Sequence, residues 1–201
     1  MNPGKLQLLV AIVNYKTSLS KPRAGVCTKW MAHLKPNDNV SFEISKGSMK
    51  LPIDNTPIIL IGPGTGIAPM RSFLQDRIFD GINSNILVFG ARNREMDFFF
   101  KDEFESYTRT GLTLFTAFSR DQREKVYVQD RIIENSELIW DAIANKGAFV
   151  YLSGNAKSMP DDVKDAFKKV IKLCGNMSDI ESDEYFKELK ISGRFQQECW
   201  S

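Results

Sequence analysis

The run Pro57 to Gln75, PIILIGPGTGIAPMRSFLQ, constrains the path of the chain more tightly than any other stretch. Ile58, Ile59, Leu60 and Ile61 form a short apolar run suited to a strand covered on both faces, as in a parallel sheet. Gly62, Gly64 and Gly66 follow at once, removing Cβ atoms where the backbone must bend and where a ligand can approach closely, and Pro63 stiffens the loop. Beyond the turn, Met70, Phe73, Leu74 and Ile78 recur at helical spacing. The unpaired amides and positive dipole end of that helix then face the loop, an arrangement that suits a pyrophosphate. The spacing G-x-G-x-G is neither G-x-G-x-x-G nor a Walker sequence, so the turn alone names no nucleotide and also fits a plain tight connection.

Strands and helices alternate from there on. Strands are expected at 57–61, 86–89, 112–117, 148–152 and about 193–198. Helices are expected to about Asp80, near Asp102 to Tyr107, from Tyr127 to Asn135, from Ser136 to Asn145, after Pro160, and over the acidic segment 179–190. That order implies an α/β fold, a doubly wound and mostly parallel sheet with helices on both faces and ligands beyond the carboxyl ends of its strands. Before it, LQLLVAIVNY (6–15) and VSFEI (40–44) read as strands, with a short helix after Gly25 between them. Lys46, Gly47, Pro52 and Asp54 mark a connection. The expected organisation is therefore residues 1–53 as one unit, part of an antiparallel β domain, and residues 54–201 as the nucleotide-binding domain.

Composition narrows the function classes. The 201 residues are long enough for a full core and a partial second unit. The longest apolar runs fall far short of a membrane span and the N-terminus lacks a secretory cleavage pattern, so a cytoplasmic location is expected. Cys27, Cys174 and Cys199 show no C-x-x-C or metal-ligand spacing, and no metal site is expected. A net charge of +2 hides an asymmetry: residues 1–53 carry eight Lys/Arg against two Asp/Glu, and the remainder nineteen against twenty-three. Scattered lysines without a helix-turn-helix, RNP-like or zinc-finger pattern argue against nucleic acid, and fit an anionic cofactor, an acidic partner domain or a solvated face.

Three strand ends carry the polar chemistry. After LTLFTA come Ser119 and Arg120, then Lys125, Val126, Tyr127, Val128 and Gln129, which together offer a hydroxyl, a guanidinium, an ammonium and a phenol to a dianion beside a flat ring. A dinucleotide site offers an acid to the NAD ribose or a cation to the NADP 2′-phosphate, and this is the cationic version. The same residues also fit a solvated loop among Asp121 and Glu124. Ser153, Gly154 and Asn155 end the strand before the Met159–Asp162 helix start, and Arg92 follows Phe89-Gly90-Ala91. Ser153 suits the edge of a nicotinamide and Arg92 a pyrophosphate; taken alone, turn chemistry explains Ser153 to Asn155 better, and a surface arginine explains Arg92 equally well.

Taken together, GPGTGIAPMRSFLQ, FGARN, FSRDQREKVYVQ, YLSGNAKSMPDDV and the chain end CWS resemble the ferredoxin–NADP reductase superfamily. The closer resemblance is to the reductase part of the diflavin enzymes, such as cytochrome P450 reductase, across essentially residues 6–201. Among these the chain looks most like the NADPH-dependent members that serve cytosolic iron–sulfur cluster assembly. The resemblance implies an NADPH-dependent oxidoreductase in which hydride passes from NADPH to FAD, and electrons then pass through FMN, on a separate domain, to an iron–sulfur or haem protein acceptor. It places Thr65, between Gly64 and Gly66, on the NADP pyrophosphate or nicotinamide side. Ser119, Arg120, Lys125, Tyr127 and Gln129 fall on the 2′-phosphate and adenosine, and Asn155, Met159 and Asp162 border the nicotinamide half. It puts Gly25, Val26, Cys27 and Thr28 against the FAD pyrophosphate, and makes Ser153, Glu198 and the flavin-covering Trp200 the residues of hydride transfer. Ser153 stands where many relatives have Cys, and Glu198 where P450 reductase has Asp. The family's R-x-Y/F-S flavin motif is missing upstream of Leu6, so the chain is expected to be a C-terminal piece holding the tail of the FAD domain and the whole NADP domain. Two other readings stay open: a non-catalytic dinucleotide-binding regulatory or docking module, and an NADH-dependent enzyme of the cytochrome b5 reductase type.

Overall fold

Burial begins at Ile58. In the computed structural model, which describes residues 4–16 and 22–200, none of residues 4–15 and 23–57 is buried. The chain divides into two units between Gly47 and Ser48.

The first unit pairs β1 (Asn14–Lys16) antiparallel with β2 (Pro22–Ala24), followed by α1 (Val26–His33). The helix expected after Gly25 is present. The strands expected at 6–15 and 40–44 are not, apart from Asn14 and Tyr15: residues 5–13 and 40–44 have no strand pairing among the described residues. Their alternating apolar side chains stand exposed, among them Leu8 at 81% and Ile44 at 75%. A strand is stable only with a hydrogen-bonded neighbour and a covered face, and here the alternation has neither.

The second unit is a five-stranded, wholly parallel sheet in the order β5-β4-β3-β6-β7. Its strands are β3 (Ile58–Pro63), β4 (Asn85–Ala91), β5 (Leu112–Phe118), β6 (Phe149–Asn155) and β7 (Phe195–Trp200). Between β3 and β4 runs α2 (Ile67–Phe79), and between β4 and β5 run α3 (Arg94–Asp97) and α4 (Lys101–Thr108). After β5 come α5 (Val128–Glu134) and α6 (Ser136–Trp140), and after β6 come α7 (Met159–Cys174) and α8 (Asp179–Ile191). Ile59, Ile61, Val88, Val150 and Leu152 face one core, shared with Ile132, Ile139, Val163, Phe167 and Phe186 of the later helices. The other face carries Tyr151, whose ring meets Phe73 of α2 edge-on at 5.2 Å.

Local chemistry sets the element ends. Pro160, Asp161 and Asp162 in the first turn of α7 suit a helix start, where no amide partner is lost and negative charge meets the dipole. At α8, Ser178 and Glu181 form a reciprocal capping box. The helix expected over 136–145 changes character at Asp141, where a π-turn runs to Asn145 and Lys146 N–H donates to Asp141 O at 3.2 Å. Under the amino ends of β3 and β4, buried Arg77 donates to Asn85 Oδ1 at 2.7 Å and to Thr56 O at 2.8 Å, tying α2 to the sheet.

Candidate functional site

The chain leaves β3 for β4 and β5 on one side of the sheet and returns to place β6 on the other, so the switch in winding lies between the carboxyl ends of β3 and β6. The glycine turn occupies that point. Gly64 to Gly66 form one 3₁₀ turn leading into α2, with Gly64 at φ +59°, a left-handed conformation costly for a residue bearing Cβ. Gly66 is pressed against the end of β6: a Cβ there would lie 2.0 Å from the Ser153 carbonyl oxygen. Thr65 is half-buried, and its hydroxyl has no partner among the described residues. Backbone amides at a helix start, with no side chain over them at Gly64, suit an anion.

The neighbouring strand ends supply cations. Beyond β4 and β5 the two chains stay joined, Ser119 N–H donating to Ala91 O at 3.0 Å and Arg120 N–H to Arg92 O at 2.8 Å. Arg92, Arg120 and Lys125 are exposed, and no side chain of the three makes an ion pair or hydrogen bond among the described residues. Ser119 is half-buried, its Oγ 3.5 Å from Ala91 O. Val126 is partly covered and Val128 is buried in the core. Tyr127, 43% exposed, starts α5, with its N–H given to Asp130 Oδ2 at 2.7 Å, and Gln129 follows on the first turn. Tyr127 thus presents an exposed ring two residues after Lys125.

At the same end of the sheet, toward its β7 edge, Ser153 is in register with Glu198 and Asn155 with Trp200 across β6 and β7. Ser153 is 1% exposed. Glu198 is fastened: Ser48 donates to its Oε1 from both Oγ and N–H, the latter at 3.0 Å, and these bonds hold the carboxyl below its usual range. At neutral pH it is therefore an acceptor only. Trp200 is 44% exposed, Asn155 Oδ1 accepts from Lys157 N–H at 3.1 Å, and Met159 and Asp162 lie on the first turn of α7. A recess of 610 Å³ opens here between β7 and the start of α7, lined by Lys157, Lys164, Glu198, Cys199 and Trp200 among others. It is separate from the glycine turn. Burial pushes the Cys199 thiol upward, away from thiolate character.

In the first unit, Gly25, Val26, Cys27 and Thr28 sit at the start of α1. Gly25 N–H donates to Val13 O at 2.7 Å, Val13 N–H donates to Thr28 Oγ1 at 3.1 Å, and the first intrahelical bond is Lys29 N–H to Gly25 O. The Thr28 hydroxyl is thus engaged with the backbone, while the first-turn amides point onward.

Sequence reading passed over three residues that organise these places. Asp121 was placed with Glu124 as a solvated neighbour, yet it accepts from Asn93 Nδ2 and from Arg94 N–H. Ser48 and Lys50 hold Glu198 and Gln196. Each is a polar residue in an irregular segment, partnered across 27 to 150 positions, and no local pattern marks such a pairing.

A parallel sheet with a glycine turn at its winding switch, and unspent cations beyond the next strand ends, defines the class of nucleotide-binding α/β modules. Residues 60–165 match the family described as Oxidoreductase NAD-binding domain, and the chain belongs to that family. The chain is also similar, at 49% identity over 99% of its length, to a Xenopus laevis protein named NADPH-dependent diflavin oxidoreductase 1. Proteins of the same name from Danio rerio and Schizosaccharomyces pombe are 46% and 41% identical over 100% and 98% of the chain. The chain spans 34% of the length of each of these relatives. These matches bear out the resemblance carried by the motifs, to the ferredoxin–NADP reductase superfamily and its diflavin branch. Among the described residues no helix is long and apolar enough to cross a membrane.

Proposed function

We propose that this chain is the NADP(H)-binding reductase module of a diflavin oxidoreductase located in the cytoplasm, with residues 1–53 contributing to an FAD-binding domain and residues 54–201 forming the NADP(H) domain. In that role NADPH supplies hydride to FAD, and electrons continue through FMN on another domain of the same enzyme to an iron–sulfur assembly protein or a haem protein. The observation that carries the reading is the set of unpartnered cations at the same end of the sheet as the glycine turn: Arg92 after β4, the neighbour of β3, and Arg120 and Lys125 after β5, one strand further out. It is their shared placement beside an anion-accepting turn that supports the reading, because a phosphate there would gain charge-assisted hydrogen bonds from groups with no competing carboxylate.

The residues fit the coenzyme in parts. Gly64 opens the turn, where a Cβ would meet nothing within 4 Å, so Thr65 and the amides leading into α2 hold the pyrophosphate. Arg120, Lys125 and Ser119 take the 2′-phosphate, Tyr127 stacks on adenine, and Gln129 borders it. Arg92 steadies the diphosphate. Ser153 and Glu198 orient the nicotinamide, Glu198, held ionised by Ser48, also stabilising positive charge on the ring, and Asn155, Met159 and Asp162 border it. Trp200 would cover the flavin ring and withdraw for the nicotinamide to stack on it. Gly25 to Thr28 hold the FAD pyrophosphate through first-turn amides.

Titration calorimetry with NADP⁺, NAD⁺ and FAD tests the reading. NADP⁺ is expected to bind on the order of 100-fold tighter than NAD⁺, the scale of two charge-assisted contacts. The double variant Arg120→Ala, Lys125→Ala should bring the two coenzymes level while leaving NAD⁺ affinity unchanged. No preference in the wild type would refute the proposal, and equal loss of both coenzymes in the variant would refute these residues as 2′-phosphate ligands.

A further inference from the structure

We propose that Asp121 is the positioning residue of the 2′-phosphate subsite: it braces the loop after β5 against the loop after β4, so that Ser119, Arg120 and Arg92 are set before the coenzyme arrives. The inference rests on the NADP(H) reading above and deepens it.

The geometry is specific. Asp121 Oδ1 accepts from Asn93 Nδ2 at 3.1 Å, and Oδ2 accepts from Arg94 N–H at 3.0 Å, with Oδ1 also 3.3 Å from that nitrogen. Asn93 is held in turn, its N–H donating to Asp97 Oδ2 at 3.0 Å and its carbonyl accepting from Asp97 N–H at 2.9 Å. On the β5 side, Gln122 Nε2 donates to Phe118 O at 2.6 Å, and the Arg94 guanidinium lies 5.4 Å from the centre of the Phe118 ring. With the backbone bonds Ser119 to Ala91 and Arg120 to Arg92, the two loops are stitched on both sides of the residues that carry the cations.

What Asp121 does not do matters as much. It is the residue next to Arg120 and two before Arg123, yet it forms no ion pair with any arginine side chain among the described residues. Its acceptor capacity goes to an amide side chain and a backbone N–H. A carboxylate turned on Arg120 would neutralise the group that the phosphate needs; turned away, it organises the loop and leaves the guanidinium unspent. An exposed loop held this way loses less conformational freedom on binding, and that lowers the cost of association.

The two effects of removing Asp121 have opposite sign, which makes the inference testable. Loss of its negative charge alone would tighten phosphate binding, whereas loss of the brace weakens it. The measurement is calorimetry of this 201-residue chain with 2′,5′-ADP and with 5′-AMP, for the wild type, Asp121→Ala and Asp121→Asn, with thermal melts alongside. The expected order of affinity for 2′,5′-ADP is wild type, then Asp121→Asn, which keeps an acceptor for Arg94 N–H, then Asp121→Ala about 10-fold below wild type. Affinity for 5′-AMP should change less than about two-fold, a split that general loss of structure would not produce. Equal or tighter binding of 2′,5′-ADP by Asp121→Ala overturns the inference while leaving the NADP(H) reading intact. A parallel loss of both ligands also overturns it, as does a wild type that binds 2′,5′-ADP no better than 5′-AMP, the one result that removes the NADP(H) reading as well.

Discussion

Replacing Gly66 by alanine adds one methyl group, and the structure says where it must go. The new Cβ would lie 2.0 Å from the Ser153 carbonyl oxygen and 2.6 Å from its carbon, distances that have to open beyond 3.0 Å. The obstacle is backbone at the end of a central strand, in a ladder fixed by β3 on one side and β7 on the other, so it cannot swing aside as a side-chain tip would. Overpacking of a core costs about 1–3 kcal/mol, and a backbone obstacle belongs at the upper end. At roughly 3 kcal/mol, the midpoint of a thermal melt followed by circular dichroism should fall by roughly 6–12 °C. Gly64→Ala is the matched control, since its Cβ meets nothing but its φ of +59° disfavours any L side chain, a cost of about 1–2 kcal/mol. Asparagine separates the two mechanisms. It tolerates the left-handed region, so Gly64→Asn should melt above Gly64→Ala, whereas Gly66→Asn should be no better than Gly66→Ala. A Gly66→Ala protein melting within about 2 °C of wild type, or an asparagine rescue at 66, would refute the close-approach argument.

Two pH-dependent groups give further tests. Tyr151 is buried with its hydroxyl donating to Lys50 O at 2.7 Å, and burial pushes its pKa up to about 12. Because the folded value lies above the unfolded one, its contribution is complete below about pH 10 and is lost as pH rises toward the folded value; ultraviolet titration should show one tyrosine ionising last, and Tyr151→Phe should remove that step. Burial works to raise the Glu103 pKa, but hydrogen bonds from Arg71, Gln75 and Tyr107 outweigh it and leave the carboxyl below its usual range. Its contribution is therefore present above the unfolded value and lost as pH falls through the folded one. Stability measured by denaturant titration should decline on acidification below about pH 4.5, and Glu103→Gln should flatten that decline; an unchanged slope would discount the cluster.

How much of this was legible depended on whether a residue's partners lie near it in sequence. The strand, turn and helix from Ile58 to Phe79 stand where the apolar run, the glycines and the helical spacing put them, because each signal acts over a few residues. The same holds for Ser178 and Glu181 at the start of α8. The π-turn at Asp141 was hidden, since one extra residue in a helical turn leaves the apolar spacing of Ile139 and Ile143 acceptable to an α-helix. The apolar run at 6–15 and the alternation at 40–44 read as strands, yet of these residues only Asn14 and Tyr15 pair, because pairing belongs to a neighbour and not to the segment. Arg120 and Lys125 were visible as cations; that Asp121 turns from them to Asn93 was not.

The bonds around β7 make two distant stretches of sequence one mechanical piece. Ser48 grips Glu198, Lys50 exchanges hydrogen bonds with Gln196, and Tyr151 of the next strand fastens the same Lys50 carbonyl. Sliding β7 along its axis would drag residues 48–50 with it, and a pull on those residues would be felt at Trp200, two positions beyond the gripped carboxylate. Motion that uncovers or covers the indole is thus geared to the segment leading into the sheet, and stiffening either stretch stiffens both.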